Sequence, residues 1–281
     1  VTRKSVMRIR TVALAALLSG CTVAVDQKSL LPDLKPPTAS LQAPPGYTLT
    51  AHSIPLGDLG AISAVHLTSA TSRGTIIFSG GSGWQMANGS RRAAQLAEAT
   101  GANIILYDYP GRGSTTVPAT ADALEQAGPG FVAALRTSGL IGPGPVIAHG
   151  FSFGGSQAAA MARNGGVDAL VLEATTADID AMAGRMVPGG LKPFVRVKIE
   201  DRLKAFDYAG HATAAGVPIL LIAGTADTMV PPDLVAAFAA DLAARGLQVT
   251  TVTTSGNHGG AFATAEGQAG LATFLNGLPA R

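Results

Sequence analysis

Along this chain, short apolar runs alternate with longer stretches of mixed character. The runs recur at about 48–53, 62–68, 74–79, 103–108, 144–149, 167–173, 217–223 and 247–253. Runs of this length, rich in branched side chains and without helical spacing, predict strands. From the third run onward they alternate with stretches near 85–99, 120–138, 153–164, 231–245 and 260–276 that predict helices. Strand and helix in alternation predict an α/β fold, a mostly parallel eight-stranded sheet covered on both faces, with chemistry gathered at the strands' C-terminal edge. The first two runs, joined by a short polar link, predict an antiparallel start. No repeat of solenoid or propeller period is visible, and 281 residues with 47% hydrophobic content suffice for one continuous core.

The front of the chain follows another pattern. Arg3, Lys4, Arg8 and Arg10 precede the apolar stretch Thr11–Leu18, which ends in Ser19-Gly20-Cys21. A basic flank, a short apolar centre and small residues before a cysteine predict an export signal over 1–20. The boundary resembles the lipobox of bacterial lipoproteins, which implies a lipid on Cys21 and a catalytic domain held outside the cytoplasm on a cell-envelope membrane. From Cys21 to Gly46 the chain is polar and broken by Pro32, Pro36, Pro37, Pro44 and Pro45, and is expected to be a tether, with the catalytic domain over 47–281. Leu30, Leu31 and Leu34 leave open an arm wrapped on the domain.

Charge then excludes one class of partner. Residues 1–20 hold four of the chain's 20 basic residues and none of its 18 acidic ones, so the remainder is slightly acidic and nucleic acid is not an expected partner. No two of the five histidines have metal-ligand spacing, and one cysteine allows neither a zinc cluster nor an internal disulfide. No metal or cofactor is expected.

Three residues carry candidate chemistry. Ser152 lies in Gly150-Phe151-Ser152-Phe153-Gly154, after the run Pro145–Ala148 and before a helical stretch. Gly-x-Ser-x-Gly is weak by itself in a chain with 35 glycines, but strand, sharp turn and helix form the context in which such a serine is presented. Asp227 follows the run Val217–Ala223, and His258 follows Val249–Thr253. A serine hydroxyl needs an imidazole to take its proton and a carboxylate to fix the imidazole's tautomer, and Ser152, His258 and Asp227 fit those roles. His149 is expected to fill space at a strand end; His52, His66 and His211 read as ordinary strand or loop residues.

From about Tyr47 onward the chain resembles α/β-hydrolase-fold serine hydrolases of the esterase and lipase type. The serine, aspartate and histidine loops match that pattern, and Leu106–Ser114 resembles the family's strand-end loop. Thr75–Ser82 resembles the oxyanion strand and loop, although Ser79 stands where the family's usual histidine would. The resemblance implies an oxyanion hole from the backbone N–H groups of Gly81 and Phe153, and a small helical lid at about 177–212. Met182, Met186 and Phe194 of that segment, with Trp84, are candidates for an apolar acyl pocket. Lys192, Arg196, Lys198, Arg202 and Lys204 are read as a solvated face. The expected function is hydrolysis of an ester or related acyl bond of a small molecule, with peptidase, thioesterase and a non-catalytic binding lipoprotein as the alternatives.

Overall fold

The computed structural model describes residues 21–187, 189–204 and 208–278, and the expected export signal at 1–20 lies outside them. Eight strands form one sheet: β2 (Thr48–Pro55), β3 (Ala61–Thr68), β4 (Thr75–Ser79), β5 (Asn103–Tyr107), β6 (Val146–Phe151), β7 (Ala169–Glu173), β9 (Ile219–Gly224) and β10 (Val249–Thr254). Their spatial order is β10-β9-β7-β6-β4-β5-β3-β2. β2 and β3 pair antiparallel, β3 pairs antiparallel with β5, and every other pairing in this sheet is parallel. The α/β-hydrolase architecture expected from the sequence is thus present. After β4 the chain goes to β5 on one side and then to β6 on the other, so the strand order reverses between β4 and β6. A crevice opens there at the C-terminal ends, and it is where parallel sheets hold their ligands.

The central strands are buried on both faces, which is why they read as unbroken apolar runs. Ile77, Ile105, Leu170 and Leu221 face one core, against α3 (Ala121–Thr137), α4 (Gly154–Ala162) and α8 (Pro232–Ala244). Ile76, Ile104, Val171 and Ile222 face the other, with α2 (Ser90–Thr100) and α9 (Ala265–Asn276). The edge strand β10 is half exposed and correspondingly rich in threonine.

Two expectations need correction. Residues 21–46 are no free tether. β1 (Cys21–Val25) pairs in parallel with β8 (Val195–Ile199), and the short helix α1 (Gln27–Leu30) is capped by Asp26. The Gln27 side chain donates to Glu200 at 3.0 Å and accepts from the Ala121 N–H at 2.7 Å, while Leu31 is buried in the core and Leu41 packs on its other half. Prolines prevent regular structure but not docking; the apolar side chains between them supply the contact. The segment 177–212 is likewise not purely helical. It holds α5 (Ile179–Met186), β8, α6 (Asp201–Lys204) and the start of α7 (Tyr208–Ala215). β8 alternates inward and outward residues, and only the β1 partner, about 170 positions away in sequence, makes it a strand.

Candidate active site

Ser152 sits on the reversal between β6 and α4 with φ +53°, a left-handed conformation that costs a non-glycine residue about 1–2 kcal/mol. The turn is held by the Ser152 N–H donating to the Glu173 carbonyl at 2.8 Å and the Gly155 N–H donating to the Ser152 carbonyl at 2.9 Å. The flanking glycines are required by space. A Cβ on Gly154 would stand 2.0 Å from the Ser79 carbonyl oxygen, and one on Gly150 would stand 2.3 Å from that of Gly154. β6 and α4 can therefore cross only at contact distance.

The loops after β9 and β10 bring the other two residues to this turn. His258 Nε2 lies 3.0 Å from Ser152 Oγ, and His258 Nδ1 lies 2.8 Å from Asp227 Oδ2. Asp227 is buried, and its second oxygen accepts the N–H groups of Met229 and Val230 at 2.8 and 2.9 Å. A carboxylate so held is locked in position and aims one oxygen at the imidazole. The Nδ1 proton is then retained and Nε2 left to accept, the tautomer needed to take a proton from Ser152.

The loop after β4 passes beside the serine. A Cβ on Gly81 would lie 3.9 Å from Ser152 Cβ. Among the described residues, neither the Gly81 nor the Phe153 N–H has an acceptor. The loop's carbonyls are clamped from behind. Tyr109 OH donates to Gly80 O, and the buried Arg112 donates to Trp84 O at 2.7 Å and to Ser82 O. Trp84 Nε1 donates to the Tyr107 carbonyl at 2.8 Å. Ser79, in place of a histidine, bonds Tyr107 OH at 2.7 Å and so faces the sheet interior. The strand-end loop recognised in the sequence thus braces the loop after β4, through Tyr109 and through Arg112, which motif reading alone passed over.

Residues 76–269, more than half of the chain, match the family model described as "Alpha/beta hydrolase family". The chain belongs to that family. No curated sequence matches it significantly. Among solved structures, this hydrolase resembles an esterase of Pyrococcus furiosus at 18% identity and TM-score 0.67, covering 87% of this chain and 99% of that one. It also resembles carboxyl esterase 2 of Tuber melanosporum at 16% and 0.62, covering 87% and 91%. An esterase of Pyrobaculum calidifontis follows at 19% and 0.57, covering 83% and 85%. At such identities the likeness carries the fold.

Beside Ser152 the hydrolase has a cavity of about 270 Å³, lined mainly by apolar atoms. Phe153, Ile179, Met182, Leu203 and Met229 form its wall, with the buried Tyr208, whose hydroxyl is pushed up to about 12 by burial. Val23 and Val25 of β1 close another side, so the N-terminal segment is part of the pocket. Of the four residues expected to form it, Met182 does, whereas Phe194 and Trp84 do not. Phe194 is 52% exposed and does not line the cavity. Trp84 lines a separate hollow with Phe78, Arg92 and Phe151, on the far side of Gly81. Met186 ends α5, and its side chain lies outside the described residues.

Behind the serine turn lies a buried charged cluster. Arg92 of α2 forms a two-pronged bond with Glu173 at 2.9 and 3.1 Å, and His149 Nε2 lies 3.3 Å from the same carboxylate. Burial pulls the His149 pKa below the ordinary 6.5, an effect that Glu173 only partly offsets. The ring is therefore neutral, donating from Nε2, with Nδ1 left unpartnered. Burial raises the Glu173 pKa, but Arg92 and His149 outweigh it and the net shift is downward from 4.5. Both depressed groups bind protons more readily in the unfolded chain. The stability they contribute is complete above about pH 6.5, declines first as His149's unfolded counterpart protonates below that value, and declines further below about 4.5 with Glu173. The melting temperature should fall on going from pH 7.5 to 5, and fall less steeply in His149→Gln. A melting temperature constant across that range would refute this assignment.

Proposed function

We propose that this hydrolase is a serine esterase acting through an acyl-enzyme. Ser152 Oγ passes its proton to His258 Nε2 and attacks the ester carbonyl, forming a tetrahedral intermediate. Its oxyanion accepts the N–H groups of Gly81 and Phe153, while Asp227 stabilises the imidazolium. Collapse expels the alcohol, which takes the proton from His258; water then attacks the acyl-Ser152 ester by the same route in reverse. The acyl group lies in the apolar cavity beside Ser152. The observation that carries this reading is the continuous chain of contacts from Ser152 Oγ to His258 at 3.0 Å and on to Asp227 at 2.8 Å.

A fluorophosphonate probe tests it, since such a reagent bonds only an activated serine. Wild-type protein is expected to label and to hydrolyse aryl esters faster than the matching anilides, while folded Ser152→Ala does neither. Folded wild type that stays unlabelled would end the proposal.

A further inference from the structure

Among the described residues, the exposed large apolar side chains are Val23, Leu191, Phe194 and Met229, at 46, 51, 52 and 42% exposure. Two of them, Leu191 and Phe194, lie three positions apart at one end of the β1–β8 ribbon. Val23 lies on β1, Leu191 and Phe194 lie on the approach to β8, and the Phe194 carbonyl accepts the Cys21 N–H at 2.8 Å. Val23 and Met229 instead line the cavity beside Ser152, and Val23 pairs with Val197 on the other face of the ribbon.

Near this patch, some cations are paired and, among the described residues, three are not. Within the lid, Arg185 pairs with Asp233, Arg202 with Asp122 and Glu125, and Lys204 with Asp180. Lys192, Arg196 and Lys198 are exposed and make no ion pair among the described residues. The register places Arg196 opposite Thr22 and Lys198 opposite Ala24, so both cations share the ribbon's outward face. The acidic residues Asp26, Glu200 and Asp201 sit at the other end of the two strands, and Glu200 is already engaged by Gln27.

The chain outside the described residues also begins at this patch. Residues 1–20, with four cations and the apolar stretch Thr11–Leu18, join the domain at Cys21, which is exposed beside Phe194. No helix among the described residues is long and apolar enough to cross a membrane.

We infer that the apolar end of the β1–β8 ribbon, with Lys192, Arg196 and Lys198, is a docking surface for an anionic lipid bilayer. Leu191 and Phe194 enter the interface, and the unpaired cations meet the headgroups. Solvated lysines alone would not place the exposed Leu191 and Phe194 among them, and a purely apolar partner would not account for three cations left unpaired while their neighbours are paired.

The test uses the full chain carrying Cys21→Ser, so that no thiol-linked lipid contributes, and measures flotation with phosphatidylglycerol or phosphatidylcholine vesicles. Binding is expected to phosphatidylglycerol, to weaken at high salt, and to be much weaker to phosphatidylcholine. Lys192→Glu/Arg196→Glu/Lys198→Glu should bind about a hundredfold more weakly, at about fivefold per cation, with unchanged melting temperature and unchanged turnover of a soluble ester. Leu191→Asp/Phe194→Asp should lose about tenfold or more. Equal flotation of the variants and the parent would overturn the inference, since residues 1–20 would then account for binding. So would absence of vesicle binding with a dimer that Leu191→Asp/Phe194→Asp dissociates in sedimentation, which would assign the patch to a second copy. Flotation does not depend on hydrolysis, so its outcome is separate from that of the fluorophosphonate test.

Discussion

Replacement of Ser152 by alanine is expected to lower kcat for a soluble ester by at least ~10⁴-fold while leaving the protein folded. The loss is large because His258 and Asp227 have no other acceptor for the acyl group: His258 Nε2 is directed at Ser152 Oγ, 3.0 Å away. His258→Ala should cost about as much, since the three residues act as one unit and their effects do not add. The backbone supplies a second readout. Ser152 has φ +53° and is held there by its bonds to the Glu173 carbonyl and the Gly155 N–H. In most settings alanine is the more stable replacement, because glycine loses more freedom on folding. Here the left-handed conformation reverses the order, and Ser152→Gly should be more stable than Ser152→Ala by about 1 kcal/mol. Denaturant unfolding of the two inactive variants measures this. Alanine equal to or above glycine would mean that the turn is not strained, and activity loss below tenfold would remove Ser152 from the chemistry.

Glu173→Ala is expected to destabilise the protein by about 3–5 kcal/mol, among the largest effects of any single change outside Ser152, Asp227 and His258. Glu173 is fully buried at the C-terminal end of β7, where it bonds Arg92 twice, faces His149, and accepts the Phe262 N–H at 3.3 Å. Removing it leaves a guanidinium that is 11% exposed without its counter-charge and a buried N–H without an acceptor. The cost arises from the groups left behind, so removing both charges should cost less than the sum of the single changes. Arg92→Met/Glu173→Met should recover most of the loss, since Arg92 already lies over the rings of Phe78 and Phe262 at 5.0 Å and a methionine has apolar neighbours there. A double-mutant cycle by urea unfolding decides the matter. Additive losses, or a single-variant effect below 1 kcal/mol, would show the cluster to be uncoupled. Phe262 lies four residues past His258, so the variant should also lower kcat by loosening the histidine loop.

The candidate constellation of Ser152, Asp227 and His258 was readable because each of its residues follows a strand that announces itself. Ala148, Ala223 and Thr253 close apolar or β-branched runs, and once those runs lie side by side and parallel, the loops after them share one edge. The pocket was not readable in that way. Met182 and Phe194 have the same apolar character in sequence, yet Met182 lies on α5 facing the cavity, while Phe194, just before β8, is exposed to solvent. Val23 could not be proposed at all, since proline spacing marked its segment as a tether. Arg112 and Glu173 share their runs with Asp108 and Asp168, and nothing nearby indicates that their own partners stand 28 to 81 positions away.

By itself, then, the order of apolar runs determined the sheet, its antiparallel start and the edge on which Ser152, Asp227 and His258 would gather, because strand and helix formation follow local periodicity and parallel strands carry their following loops to the same side. Tertiary structure alone decided what surrounds them: the docking of β1 on β8, the buried Arg92–Glu173–His149 cluster, the clamp on the loop after β4 and the walls of the cavity. Each of these depends on pairing between residues far apart along the chain, and such pairing is selected by complementary shape and charge once the elements are packed, a quantity that no local pattern records.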